Sequence, residues 1–132
     1  MERTYIMLKP DCVKRGLMGE VISRIEKKGF KITNAKMMQL EEPILREHYA
    51  HIADKPFFPE IVEYMTSGPV LAMIVEGENA VAGMRNIMGP TKYEDAVGGT
   101  IRGDFATSTG ANIIHGSDSV ENAEIEIKRF FG

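Results

Sequence analysis

Six consecutive apolar residues, Val70-Leu71-Ala72-Met73-Ile74-Val75, constrain this chain most. A strand with one wet face alternates apolar and polar side chains. This run does not, so it reads as a central strand covered on both faces. It falls far short of the ~20 residues that cross a bilayer. Around such a strand, 132 residues match one domain, residues 1–132, able to bury roughly two-thirds of its unfolded surface. Hydrophobic residues at 43% and charged residues at 27% are ordinary globular usage and exclude a disordered or fibrous chain.

The remaining segments supply that strand with neighbours. Arg3 to Lys9 alternates, with Thr4, Ile6 and Leu8 on one face, and reads as a strand that Pro10 stops. Leu17, Val21 and Ile25 recur every four residues, and Lys27-Lys28-Gly29 ends that helix with cations and a glycine. Ile32 to Leu40 reads as a strand. Pro43 and Pro59 suit the first turns of two helices, one running to about His51 and one over Glu60 to Thr66. Asn79 caps a helix carrying Val81, Met84 and Met88 on one stripe, ended by Gly89-Pro90. Thr91 to Gly110, rich in Gly, Thr and Ser, reads as a long loop, and loops of that length usually serve function. Asn112 to His115 is a short strand, followed by a last helix with Val120, Ala123, Ile127 and Phe130 inward. Met65, Met73, Met84 and Met88 read as core filling. This order predicts an α+β fold, a ferredoxin-like sandwich of four mostly antiparallel strands with helices packed on them. A flavodoxin-like parallel sheet would normally need more strands.

Charge and cysteine content narrow the partners. Sixteen Lys and Arg face 19 Asp and Glu, a net charge of −3. That composition offers no broad basic face for DNA or RNA, though it permits a small basic pocket for one anion. The start, Met-Glu-Arg-Thr, lacks the pattern of a secretory signal. A single cysteine, Cys12, excludes an internal disulfide and a cysteine-built zinc site. The expectation is a cytoplasmic protein without membrane or specific nucleic-acid partners.

No glycine-rich P-loop, dinucleotide fingerprint, His-Glu-x-x-His or G-x-S-x-G elbow is present. Phosphates would therefore be held by side chains and a metal. In Asn112-Ile113-Ile114-His115-Gly116-Ser117-Asp118-Ser119 a histidine ends a strand just before a helix start. Imidazole titrates near neutrality, so part of it is a free-base nucleophile, and helix amides beyond it suit a phosphoryl group. Glu126, two turns on, is spaced to reach back and orient the ring. The same pattern also suits a half-buried structural histidine. His48 and His51, three apart, share a helix face with no third ligand near, and read as surface histidines. Lys9, on the strand face opposite Ile6 and Leu8, Arg85 and Arg102 are either solvated charges or the cations of an anion pocket. Of Phe57 and Phe58, between Pro56 and Pro59, one ring reads as core and the other as a stacking face for a base.

Asn-Ile-Ile-His-Gly-Ser-Asp-Ser resembles the active-site signature of nucleoside diphosphate kinases. The resemblance continues through Lys9-Pro10-Asp11, Arg15-Gly16-Leu17, His48-Tyr49, Lys55-Pro56-Phe57-Phe58, Ser67-Gly68-Pro69, Glu76 to Val81 and Gly99 to Asp104. It implies a ferredoxin-like core and magnesium-dependent transfer of the terminal phosphate of a nucleoside triphosphate to a nucleoside diphosphate. By matching position, His115 would be the phosphorylated nucleophile, supported by Ser117 and Glu126. Lys9, Tyr49, Arg85, Thr91, Arg102 and Asn112 would contact phosphates or sugar, and Phe57 would stack on the base, a mode that tolerates every base. Magnesium would be held mainly by the nucleotide phosphates.

The chain departs from the family pattern at Cys12, for a usual glycine, at Lys92-Tyr93, for Asn-Pro, at Gly98, for proline, and at Ala111, for arginine. None belongs to the set implied for catalysis. The resemblance further implies a homo-oligomer, with a hexamer favoured over a tetramer. The long loop, expected to need neighbouring subunits for its shape, and Phe130-Phe131 at the terminus point the same way. A ferredoxin-like nucleotide sensor or RNA-binding module is the alternative; the histidine and the lack of an aromatic-rich basic strand weigh against it.

Overall fold

The apolar run from Val70 lies within an inner strand of a four-stranded sheet. A computed structural model describes residues Met1–Gly132. In chain order it contains β1 (Glu2–Leu8), α1 (Pro10–Lys14), α2 (Met18–Lys28), β2 (Lys31–Met38), α3 (Glu42–His48), α4 (Phe58–Met65), β3 (Val70–Gly77), α5 (Ala80–Met88), a 3-10 turn (Tyr93–Asp95), α6 (Ile101–Phe105), β4 (Ile114–Gly116) and α7 (Val120–Phe131). All strand pairs are antiparallel, in the order β2-β3-β1-β4. This is the ferredoxin-like sandwich expected from the element order.

Side-chain alternation sends β1 and β3 into two apolar layers. Ile6, Leu8, Met73 and Val75 pack with Val21 and Ile25 of α2 and with Met84 and Met88 of α5. Tyr5, Met7, Ala72 and Ile74 face the other way, onto Leu45, Phe58, Met65, Ile127 and Phe130. Each large side chain so buried contributes about 1.5–3 kcal/mol relative to exposure. The four methionines are core filling as expected, divided between the layers. No helix is long and apolar enough to cross a membrane.

Several expectations need correction. Pro10 does not simply end β1; it opens the short helix α1, where its missing N–H costs nothing. Helix α3 stops at His48 rather than His51. Val120 is exposed, while Ala123, Ile127 and Phe130 face inward. Asn79 holds the N-cap position of α5 but makes no side-chain cap bond. The segment from Thr91 to Gly110 is not one open loop. Thr100 caps α6 by accepting from the Gly103 amide at 2.9 Å, and Asp104 accepts from the Gly99 amide at 2.9 Å. Tyr93 packs partly buried against the first apolar layer. Part of the segment is thus tied within the chain, and Phe130 is buried, stacked on Tyr5 with centroids 4.6 Å apart.

Candidate active site

The end of β1, the segment leading into β4 and the polar face of α7 converge on a cavity of about 580 Å³. Lys9, Tyr49, Arg85, Thr91, Arg102, Asn112, His115 and Glu126 all line it, as do His48, His51, Asp118 and Arg129. Sequence reasoning therefore names most of the wall.

The backbone entering β4 is strained. Ile113, a β-branched residue, sits at φ 78°, a conformation that costs on the order of 1–3 kcal/mol. Its surroundings fix it there. The side chain is fully buried, its N–H donates to Asp11 Oδ2 at 3.1 Å, and its carbonyl accepts from the Lys9 amide at 2.8 Å. Tyr64 donates its hydroxyl to the other oxygen of Asp11. The kink separates Asn112, which accepts from Lys9 Nζ at 2.8 Å and donates to the Thr91 carbonyl at 3.1 Å, from His115 on β4.

His115 is oriented from one side. Its Nε2 lies 3.0 Å from Glu126 Oε1, and the same oxygen accepts from Ser117 Oγ at 2.6 Å. No protein group hydrogen-bonds Nδ1. The next residue, Gly116, packs too closely on α5 to carry a side chain, since a Cβ there would meet Met88 Sδ at 2.6 Å. Burial alone would push the Glu126 carboxyl up, but the bonds from His115 and Ser117 hold it below its usual range. Glu126 thus stays anionic beside the ring, as a partner for an imidazole that gains positive charge.

Burial, then repulsion from Arg102, lowers Lys9 to about 8, with Asp11 opposing. Arg102 is 4% exposed, and burial followed by Arg85 lowers it to about 10. Its guanidinium donates to the carbonyls of Asn112 (3.3 Å), Gly89 (2.9 Å) and Ile114 (2.5 Å). A guanidinium has five N–H groups, so two remain for an anion. Arg85 donates to the Gly116 carbonyl at 3.2 Å.

Phe58 is the core ring at 2% exposure, and Phe57 stands 47% exposed outside the cavity lining. Cys12 is buried, its thiol pushed up to about 12 mainly by burial, and so is unreactive.

His48 is not a surface histidine. It is 9% exposed, and its ring meets His115 edge to face at 4.9 Å. Arg129, not singled out from the sequence, donates to His48 Nδ1 at 2.9 Å. Its position three residues after Glu126, on the same helix face, was the available signal.

His48, His115 and Glu126 offer ligand atoms within 4.8 Å of one another. A guanidinium already holds His48 Nδ1, and Glu126 is engaged by His115 and Ser117, so this trio is a poor resident metal site. Magnesium favours an octahedron of oxygens, often supplied by substrate phosphates and water. Asp118 is the lining carboxylate outside the histidine network. Cations otherwise dominate the wall, which fits magnesium arriving on a polyphosphate rather than in a protein cage.

Comparison with known proteins agrees with this geometry. The family model described as nucleoside diphosphate kinase matches residues 2–132. Among curated relatives, nucleoside diphosphate kinase of Thermus thermophilus is 53% identical over 99% of this chain and 96% of its own length. That of Exiguobacterium sibiricum is 56% identical over 99% and 95%. The crystal structure of nucleoside diphosphate kinase from Encephalitozoon cuniculi aligns with a TM-score of 0.96 at 51% identity, covering 100% of this chain and 90% of that one. A halophilic nucleoside diphosphate kinase from Halobacterium salinarum, in complex with CDP, aligns at 0.94 and 48% identity over 98% and 87%. This chain belongs to the nucleoside diphosphate kinase family.

Proposed function

We propose that this family member moves the terminal phosphate of a nucleoside triphosphate to a nucleoside diphosphate in two halves, with His115 as carrier. The observation that carries the reading is the free Nδ1 of His115, opposite an Nε2 held by Glu126 at 3.0 Å in a cation-lined cavity. In the first half the Nδ1 lone pair attacks the terminal phosphorus, the bond to the bridging oxygen breaks, and the nucleoside diphosphate leaves with those electrons. Glu126 offsets the positive charge that grows on the ring, and Ser117 steadies Glu126. In the second half an oxygen of the incoming diphosphate attacks the same phosphorus and the ring nitrogen leaves. No proton need change hands.

Lys9, Tyr49, Arg85, Thr91, Arg102 and Asn112 hold the phosphates and sugar, positioning and neutralising charge, which is most of what phosphoryl transfer requires. Phe57, half exposed on its turn, stacks on the base without reading its edge. Magnesium, held mainly by the phosphates with Asp118 near, adds charge neutralisation when bound. The chain works as a single domain, 1–132, in the cytoplasm, and as a homohexamer rather than a tetramer. The unpaired edge of β2, with Met37 exposed on it, supports self-association; light scattering at micromolar concentration tests it. A non-catalytic nucleotide sensor or RNA-binding module is not favoured, given the family match along the chain. Initial rates with two nucleotides varied together test the two-step route. Parallel double-reciprocal lines are expected, and intersecting lines would contradict a carrier.

A further inference from the structure

Helix α7 meets the cavity with two charged side chains one turn apart, and each holds a different histidine. Glu126 engages His115. Arg129 donates from Nη1 to His48 Nδ1 at 2.9 Å. The two rings meet with centroids 4.9 Å apart and planes at 80°. His48 is walled by the rings of Tyr49 at 4.8 Å and Phe130 at 5.2 Å. Arg129 is itself steadied by Glu47 Oε1 at 3.4 Å, with only 14% of its side chain exposed. We propose that Arg129 is a positioning residue for phosphoryl transfer, acting through His48, whose ring it pins against His115. This rests on His115 being the phosphoryl carrier.

A guanidinium has donors and no acceptor. The His48 nitrogen it touches must therefore be bare, and the neutral ring carries its proton on Nε2. The charged and titratable groups facing His48 are His115 from β4, Glu126 and Arg129 from α7, Lys9 from the end of β1, and Tyr49 at the C-terminal cap of α3. Burial, then His115, lower His48 to about 3; Glu126 opposes, while Arg129 and Lys9 add to the lowering. A neutral, immobile wedge thus backs the nucleophile. Without Arg129, Nδ1 loses its donor and the site loses one cation. The ring can then turn over and accept a proton, placing a positive charge against His115 and withdrawing the support that fixes its aim.

The test uses the full chain with Arg129→Met, which keeps reach without donors, and Arg129→Lys, which keeps a charged donor. Long-range 15N–1H spectra read the His48 tautomer, and rapid-quench measurement with ATP reads phosphoenzyme formation between about pH 5.5 and 8.5. The wild type should show His48 neutral with a bare Nδ1 throughout. Arg129→Met should lose that single tautomer and form phosphoenzyme about tenfold more slowly near pH 6, the deficit shrinking as pH rises. The KM for ATP should stay within about twofold, and Arg129→Lys should recover most of the rate. A wild-type rate and pH profile in Arg129→Met would overturn the inference. So would a loss carried wholly by KM, which would make Arg129 a phosphate contact, or a lysine variant no better than methionine. His115→Ala separates the levels. If it still accepts label, the carrier reading fails and this inference with it; if it does not, while Arg129→Met behaves as wild type, only the role of Arg129 falls.

Discussion

Glu126 places one carboxylate oxygen 3.0 Å from Nε2 of His115. That contact leaves Nδ1 as the ring nitrogen without a protein partner. Its strength sets the first expectation. A hydrogen bond to a charged group contributes about 1.5–3 kcal/mol, which is roughly 10- to 150-fold in rate. Glu126→Ala should slow single-turnover phosphorylation by an amount in that range while leaving the KM for ATP nearly unchanged. A rise in KM at an unchanged rate would show that Glu126 binds substrate instead.

Lys9 makes the site sensitive to alkaline pH. Burial lowers it to about 8, so the free enzyme loses one of the cations lining the cavity as pH passes that value. The kcat/KM profile should fall above about pH 8, and the limb should move to higher pH for kcat, because bound phosphates favour the ammonium form. The stability effect has the opposite sign. Between about 8 and the ordinary 10.5 the unfolded chain binds more protons at Lys9 than the folded one, so this residue's contribution raises stability as pH increases. Urea unfolding of the wild type and Lys9→Met at the two ends of that window should show it as a steeper rise for the wild type.

Arg102 lines the cavity and also braces the backbone around it. Its loss would leave the carbonyls of Asn112, Gly89 and Ile114 without their charged donor, at a cost of about 1–3 kcal/mol for a group left unsatisfied. Arg102→Ala should therefore lower both kcat/KM and Tm, the latter by roughly 5–10 °C for a domain near this size. Calorimetry that found Tm unchanged would mean the guanidinium does not brace the segment before β4.

Phe57 and Phe58, adjacent in sequence, should separate function from folding. Phe57→Ala should raise KM about 5- to 150-fold, the stacking range of ~1–3 kcal/mol, alike for purine and pyrimidine nucleotides and with little change in Tm. Phe58→Ala, by emptying a core position, should cost about 3–5 kcal/mol in unfolding free energy. Equal effects of the two on stability would place both rings in the core.

What the sequence revealed follows from how locally each feature is encoded. The inner strand at Val70, the histidine before a helix start and the reach of Glu126 back to it are short-range patterns, readable without tertiary contacts. The burial of His48 is not, because it depends on α7 packing across α3, 81 residues from His48 to Arg129. Composition hid α6 for a different reason. Thr and Gly argue for loop, yet Thr100 caps the helix and Gly103 sits where a Cβ would strike the Val97 carbonyl. That cap, with the Asp104 bond to the Gly99 amide, ties residues 99–104 within the chain. Phe57 and Phe58 divided as the proline-bracketed pair suggested, but which ring was core required the packing.

The central claim is that the phosphoryl group rests on Nδ1 of His115 between the two half-reactions. Incubation with terminally labelled ATP alone, followed by 31P spectroscopy and mapping of the label, tests it most directly. The expected product is an acid-labile, base-stable phosphohistidine at His115, formed without any acceptor nucleotide, discharged on adding a nucleoside diphosphate, and absent from a folded His115→Ala variant. Label at another residue, or wild-type turnover by His115→Ala, would contradict it.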